Sequence, residues 1–266
     1  MLRHQIIGAL VVTILVEVNM AVPAIQEDVV FYNDVVVTSN EQYRSVTIYD
    51  SPPETTTIDF YGWAMWLTMY DSSTLNLYNG SEIKGGDHHK LYNSSTVNVY
   101  EGALIGLGSG ILMDMYDSST LNIYGGTVGL FLYTHDSSIV NLYTGLLGIN
   151  YIGDNSTVNI YAGHVEDWIE NIDVEPTATV NIYGYGFEYT PYGYWMEPPG
   201  GIGQGWWISK ITGYGFDGDP IIIEGLPDPA THENINLIPE PMTFLLLGLG
   251  GLALLRKRRH YSTYWK

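Results

Sequence analysis

Between residues 45 and 183 apolar and polar residues alternate in short runs, and one run keeps returning: Asp/Asn-Ser-Ser-Thr-apolar-Asn-apolar-Tyr. Clear copies span Asp71–Tyr78, Asn93–Tyr100, Asp117–Tyr124, Asp136–Tyr143 and Asp154–Tyr161. Thr177–Tyr183 keeps the core of the phrase, and two worn copies end at Tyr49 and Tyr61. A period of two means a strand with one buried face. Leu121 and Ile123 should therefore point inward, and Thr120, Asn122 and Tyr124 outward. A glycine usually follows two places after the tyrosine (Gly80, Gly102, Gly126, Gly145, Gly163), where the chain must turn. A second apolar run, such as Gly129–Tyr133, then leads to the next Asp-Ser-Ser turn.

The phrase-ending tyrosines lie 12 to 24 residues apart with no helical pattern between them. That period predicts an all-β fold: a single-stranded parallel β-helix, or β-solenoid, of about seven to eight coils, right-handed by the general preference of parallel crossovers. One coil cannot bury its apolar pair alone, whereas stacked coils can, at roughly 3–6 kcal/mol per pair. Residues 25–183 form this body. Residues 184–225 are rich in glycine and aromatics and should close it with a last coil and hairpin. Trp206–Ser209 and Ile221–Glu224 are its strands, around a turn at 217–220. The irregular segment before Tyr49 would cap the other end. Residues 226–238, with Pro and Asn, read as a linker.

The termini carry a different pattern. Arg3 and His4 precede an apolar stretch from Ile6 to Val16, followed by small residues at Ala21 and Ala24. This is the order of a secretory signal peptide over 1–24, cut after Ala24 or else Ala21; the alternative is an uncleaved N-terminal anchor. At the other end Pro239-Glu240-Pro241 precedes an apolar run, Met242–Leu255, and the cluster Arg256-Lys257-Arg258-Arg259, with a short tail at 260–266. The apolar run should be a hydrophobic helix, although its 14 residues fall short of the ~20 needed for a full span. The cations favour the cytoplasmic side of a bilayer.

Residues 239–259, in this order, resemble the PEP-CTERM sorting tail of exported bacterial proteins. The resemblance implies passage through the secretion machinery, recognition by an exosortase-type transpeptidase, and transient or permanent contact with the inner membrane. Delivery would be to the cell envelope, the outer surface or the extracellular matrix.

Composition narrows the rest. There is no cysteine, so no disulfide stabilises the chain in an oxidising compartment. Residues 25–241 hold 28 acids against four bases (Arg44, Lys84, Lys90, Lys210), a net charge of −24. Such a balance repels nucleic acid, whose phosphates need clustered Lys and Arg.

Stacking should align the outward residues in rows. Thr74, Thr96, Thr120, Thr157 and Thr179 make one; Asn76, Asn98, Asn122, Asn141, Asn159 and Asn181 the next; Tyr78, Tyr100, Tyr124, Tyr143, Tyr161 and Tyr183 a third. The structural interpretation is that amides and rings form ladders that hold register. The functional ones are contact with extracellular polysaccharide or, given the Thr-x-Asn rows, ice binding.

Asp71, Asp117, Asp136 and Asp154, with Asn93, form an acidic column at the turn. Capping of the turn is one role. Calcium held by Asp117, Asp136 and Asp154 is the other. A polysaccharide lyase or hydrolase is the rival function. Its only cationic cluster, Lys84-His88-His89-Lys90, reads as a loop lengthening one coil. No Gly-x-Ser-x-Gly, His-Glu-x-x-His or phosphate-binding loop is present. The sequence therefore points to an exported structural or adhesive surface protein, without cofactor and without a catalytic residue.

Overall fold

The computed structural model describes residues 27–50, 52, 54–85, 89–106, 112–129, 131–166, 172–196, 204–226 and 233–239, with side chains placed outside 191–209. Residues 1–24, read as a signal peptide, and Glu240, Pro241, the apolar run and the basic cluster lie outside these residues. Among the described residues no helix is long and apolar enough to cross a membrane.

The chain winds into a parallel β-solenoid with three faces. The phrase face stacks β2 (Val35–Val37), β4 (Thr57–Phe60), β6 (Thr74–Leu77), β9 (Thr96–Tyr100), the first halves of β12 (Thr120–Val128) and β14 (Ile139–Gly148), β16 (Thr157–Ile160), the start of β19 (Thr179–Met196) and β22 (Ile235–Pro239). A second face stacks β1 (Val29–Phe31), the ends of β3 (Gln42–Ile48) and β5 (Trp63–Met69), β8 (His89–Leu91), β11 (Leu112–Met115), β13 (Phe131–Thr134), β15 (Tyr151–Ile152) and β18 (Asp173–Val174). The third holds the starts of β3 and β5, β7 (Glu82–Ile83), β10 (Leu104–Ile105), the ends of β12 and β14, β17 (Gly163–Glu166) and β21 (Pro220–Leu226).

The core is the set of inward residues the alternation demands. Leu75 with Leu77, Val97 with Val99, Leu121 with Ile123, Val140 with Leu142 and Val158 with Ile160 are all essentially inaccessible to solvent. The second and third faces complete it with residues such as Met69, Leu91, Met115, Ile83 and Val128. Between the phrase face and the third face the coils approach closely. Gly145 sits at φ 108°, and a Cβ there would lie 2.3 Å from the Gly126 carbonyl oxygen, so no other residue fits without moving the neighbouring coil.

The solenoid has about six turns, from Tyr61 to Tyr183, fewer than the seven to eight expected. The difference comes from Tyr49. Its phrase, ending β3, pairs with β1 and β5 on the second face, so Tyr49 and Tyr61 belong to the same coil. Alternation looks alike on every face, and only pairing assigns a strand to one of them.

The ends also differ from the pattern-based expectation. Residues 29–48, read as an irregular cap, supply strands to all three faces. At the far end β19 runs past the solenoid and returns antiparallel through β20 (Gln204–Tyr214), which pairs in turn with β21. The turn between β20 and β21 falls where it was expected: the Gly215 N–H donates to the Asp219 carbonyl at 2.8 Å. Part of the stretch read as linker is strand, since β22 pairs in register with β19, Asn236 beside Asn181. Its core, Ile235-Asn236-Leu237, is a hidden copy of the phrase. Pro239 ends β22 and has no N–H to donate to the ladder.

Candidate functional site

The outer side of the phrase face carries the candidate residues, and its geometry follows from register. Parallel strands in exact alignment put like residues above like, at the strand spacing of about 4.8 Å. Asn98 pairs with both Asn76 and Asn122, and the same holds through Asn141, Asn159 and Asn181. Each Asn side-chain Nδ2 donates to the Oδ1 of the coil before it, at 2.8–3.0 Å from Asn98 to Asn181. The ladder has ends: Asn76 donates to the Asp59 carboxylate at 2.9 Å, and Asn236 adds itself at 3.1 Å.

The tyrosines stack beside this ladder. Rings of Tyr61, Tyr78, Tyr100, Tyr124, Tyr143, Tyr161 and Tyr183 lie 4.7–5.4 Å apart, with planes within 16° of parallel. Their faces are covered by one another, and their edges and hydroxyls face solvent; Tyr124 is 38% exposed. Burial of the ring, then the carboxylate of Asp59 that accepts its hydroxyl at 3.2 Å, pushes the Tyr78 phenol above its ordinary pKa. Burial first, then the neighbouring phenols, does the same to Tyr124 and Tyr161.

The threonine row is in place too, with one interruption: Ile139 stands between Thr120 and Thr157 and is 36% exposed. The array read as ice-like is thus broken by a hydrophobic residue.

A second ladder went unread in the sequence. Tyr32, Tyr49, Tyr70, Tyr92 and Tyr116 stack 4.7–5.5 Å apart along the second face, and His135 continues them 4.9 Å from Tyr116. The signal was available: an aromatic ring immediately precedes the turn Asx in Tyr70-Asp71, Tyr92-Asn93, Tyr116-Asp117 and His135-Asp136. It lies outside the phrase and so escaped the repeat. The ladder's next position is Gly153, which carries no ring; Tyr151, in register with Tyr133, leans over it at 45° to His135, its hydroxyl held by Glu175. That hydrogen bond, with burial next, pushes the Tyr151 phenol up to about 12.

The acidic column at the turn is a capping device between coils. Asp71, Asn93, Asp117, Asp136 and Asp154 all adopt positive φ, 53–61°. Asp and Asn tolerate that conformation better than most side chains. The Asp117 carboxylate accepts the Asn93 N–H at 2.9 Å, Asp136 that of Asp117 at 3.0 Å, and Asp154 that of Asp136 at 3.0 Å. The expected cap within each turn is replaced by one to the coil before. The three calcium candidates, Asp117, Asp136 and Asp154, each commit an oxygen in this way, and among the described residues no three His, Asp or Glu groups converge to hold a metal.

The basic cluster is split. Lys84 pairs with Glu82 at 2.8 Å. His89 and Lys90, expected in a loop, are on β8: His89 is buried, its Nδ1 accepting the Leu67 N–H at 3.2 Å, and Lys90 is on the outer side. Tertiary pairing of a three-residue strand overrode the glycines before it. His88 lies outside the described residues. A shallow hollow of about 180 Å³ at the N-terminal end of the phrase face is lined by Asp34, Val35, Val36, Thr57 and Asp59.

No family model, curated protein or solved structure matches the chain.

Proposed function

We propose that this protein is an exported structural or adhesive element of the cell surface or extracellular matrix, in contact with exopolysaccharide and sorted through its C-terminal tail. The observation that carries the reading is the phrase face: seven rings and an unbroken amide ladder held in one register along the rod. Such a surface offers repetition to a partner instead of a single enclosed reaction centre. The sequence supports the address, with a signal-peptide pattern at 1–24 and the sorting-tail resemblance at 239–259. Pro239, where that tail begins, is also the last residue of β22. The net charge of −24 over residues 25–241 suits solubility outside the cell and repels nucleic acid.

Two experiments test this. With an epitope before Pro239 and another after Arg259, cell fractionation should find the first at the envelope or in the medium and the second lost from that form. Retention of both epitopes in the cytoplasm would overturn the reading. Incubating the protein with neutral and acidic polysaccharides should leave the polymers intact. New reducing ends or unsaturated sugars would instead establish the rival polysaccharide-processing enzyme.

A further inference from the structure

We infer that the outer phrase face binds an uncharged, extended polysaccharide lying parallel to the solenoid axis, in the trough between the tyrosine ladder and the threonine row. This rests on the surface-protein reading above and adds to it a face, a direction and a ligand class.

The direction follows from the stacking. Along the axis each ring covers the next at 4.7–5.4 Å, so within the ladder the aromatic faces are not free to receive a sugar ring. What remains is a row of ring edges and hydroxyls, one per coil. The Asn row stands two residues away on the same strands, about 7 Å from the tyrosines. The tyrosines are the longest of the three side chains, so they wall one side of a shallow trough floored by the amides and open over the threonines. Each amide has two N–H donors and two acceptor positions, and the ladder takes one of each. The second N–H and the second acceptor position remain for a ligand hydroxyl.

These groups repeat at the coil spacing of about 4.8 Å. That is comparable with the advance per sugar of an extended β-linked chain, so a polymer laid along the axis meets the same set of groups at each successive residue. A chain laid across the strands would meet them only once.

The ligand class follows from charge. From Thr74 to Tyr183 the outward residues of the phrase strands are Thr, Asn and Tyr, with Ile139 the one apolar exception, and none is charged. The Asp column borders the trough beyond the threonines, and the domain is strongly acidic. A polyuronate would be repelled and a neutral polymer would not. The second ladder lacks such a trough. Two residues before its rings the outward positions are Thr68, Lys90, Asp114 and Tyr133, mixed in size and charge.

The test uses the full-length chain and β-1,4-linked gluco-oligosaccharides of two to eight units, with oligogalacturonates of equal length beside them. Affinity for the neutral series should tighten with length up to about six units, matching the number of turns, and exceed that for the uronates. The triple variant Y100F/Y124F/Y143F keeps the stacked rings and removes three hydroxyls. It should weaken binding about tenfold, as lost hydrogen bonds to a ligand do, with the melting temperature held. The matching variant of the other ladder, Y70F/Y92F/Y116F, should bind as the parent does. Absence of neutral-glycan binding, preference for uronates, or equal loss in both triple variants overturns the inference. A chain found at the surface that ignores neutral glycans sinks this inference alone; one retained in the cytoplasm sinks the reading beneath it.

Discussion

The two aromatic ladders of this solenoid use the same residue and the same spacing, yet they differ in continuity. The phrase-face ladder keeps seven tyrosines within 16° of parallel. The ladder on the second face stays within 13° of parallel from Tyr32 to His135, but it substitutes an imidazole for one ring and then stops at Gly153. Their sequences explain the difference. From Tyr78 onward each phrase-face tyrosine stands two residues after an Asn whose amide is tied to the coils on both sides, so the backbone beneath each ring is held in register. On the second face the ring position passes from Tyr116 to His135 and then to Gly153, so the ladder stops where the sequence supplies no ring. Register between parallel strands is enough to stack rings on either face; a ring at every coil is what makes a ladder continuous.

Alkaline titration should have the largest effect and act on both ladders. Stacked phenols such as Tyr70, Tyr78, Tyr116 and Tyr124 have raised pKa values, chiefly because burial disfavours the phenolate. A raised folded value means that the stabilisation is present in full below the ordinary value near 10. It is lost as pH climbs past that value and through the raised folded values. Circular dichroism should show unfolding above about pH 10, tracking phenolate absorbance. A fold that persists after the rings ionise would refute a stabilising role for the stacks.

Next comes the core beneath the regular ladder. Ile123→Ala empties a fully buried position under Tyr124 and should cost about 2–5 kcal/mol in denaturant unfolding. The amide ladder should follow. Asn122→Ala removes two side-chain hydrogen bonds and strands the half-buried amides of Asn98 and Asn141, for about 1–3 kcal/mol. Asn236→Ala, at the exposed end with one bond, should cost no more than about 1 kcal/mol. Equal losses at the two positions would show that the ladder does not act as a connected row.

The smallest change should be a gain. His135→Tyr completes the second ladder next to Tyr116 and should stabilise by up to about 1 kcal/mol, visible as a raised melting temperature. It removes the imidazole that lies 3.7 Å from Asp114, so a net loss would mean that this contact outweighs stacking.

Much of this surface was legible in the sequence, because the phrase repeats residue by residue. The inward pairs, the Thr, Asn and Tyr rows and the hairpin turn at 215–219 all follow from alternation and glycine placement. The second ladder was less legible, since its rings stand outside the phrase in strands of changing sequence. The face occupied by Tyr49 and the strand at His89 were not legible at all. Both short segments alternate acceptably for more than one face, and their partners lie 20 or so residues away at the coil period.

The sequence by itself determined the repeat, the direction of each side chain in it, and therefore that identical residues would lie in rows if the coils stacked in register. Local alternation and turn chemistry are enough for that, because they act within a single coil. Only the tertiary structure decided how many coils there are, which face each strand joins, and that Ile235–Pro239 closes the phrase face. It also decided that the turn carboxylates serve the coil before their own, as Asp136 does for Asp117. Those outcomes depend on pairing between coils, where backbone hydrogen bonds and buried apolar pairs choose among registers that a single coil leaves equal in energy.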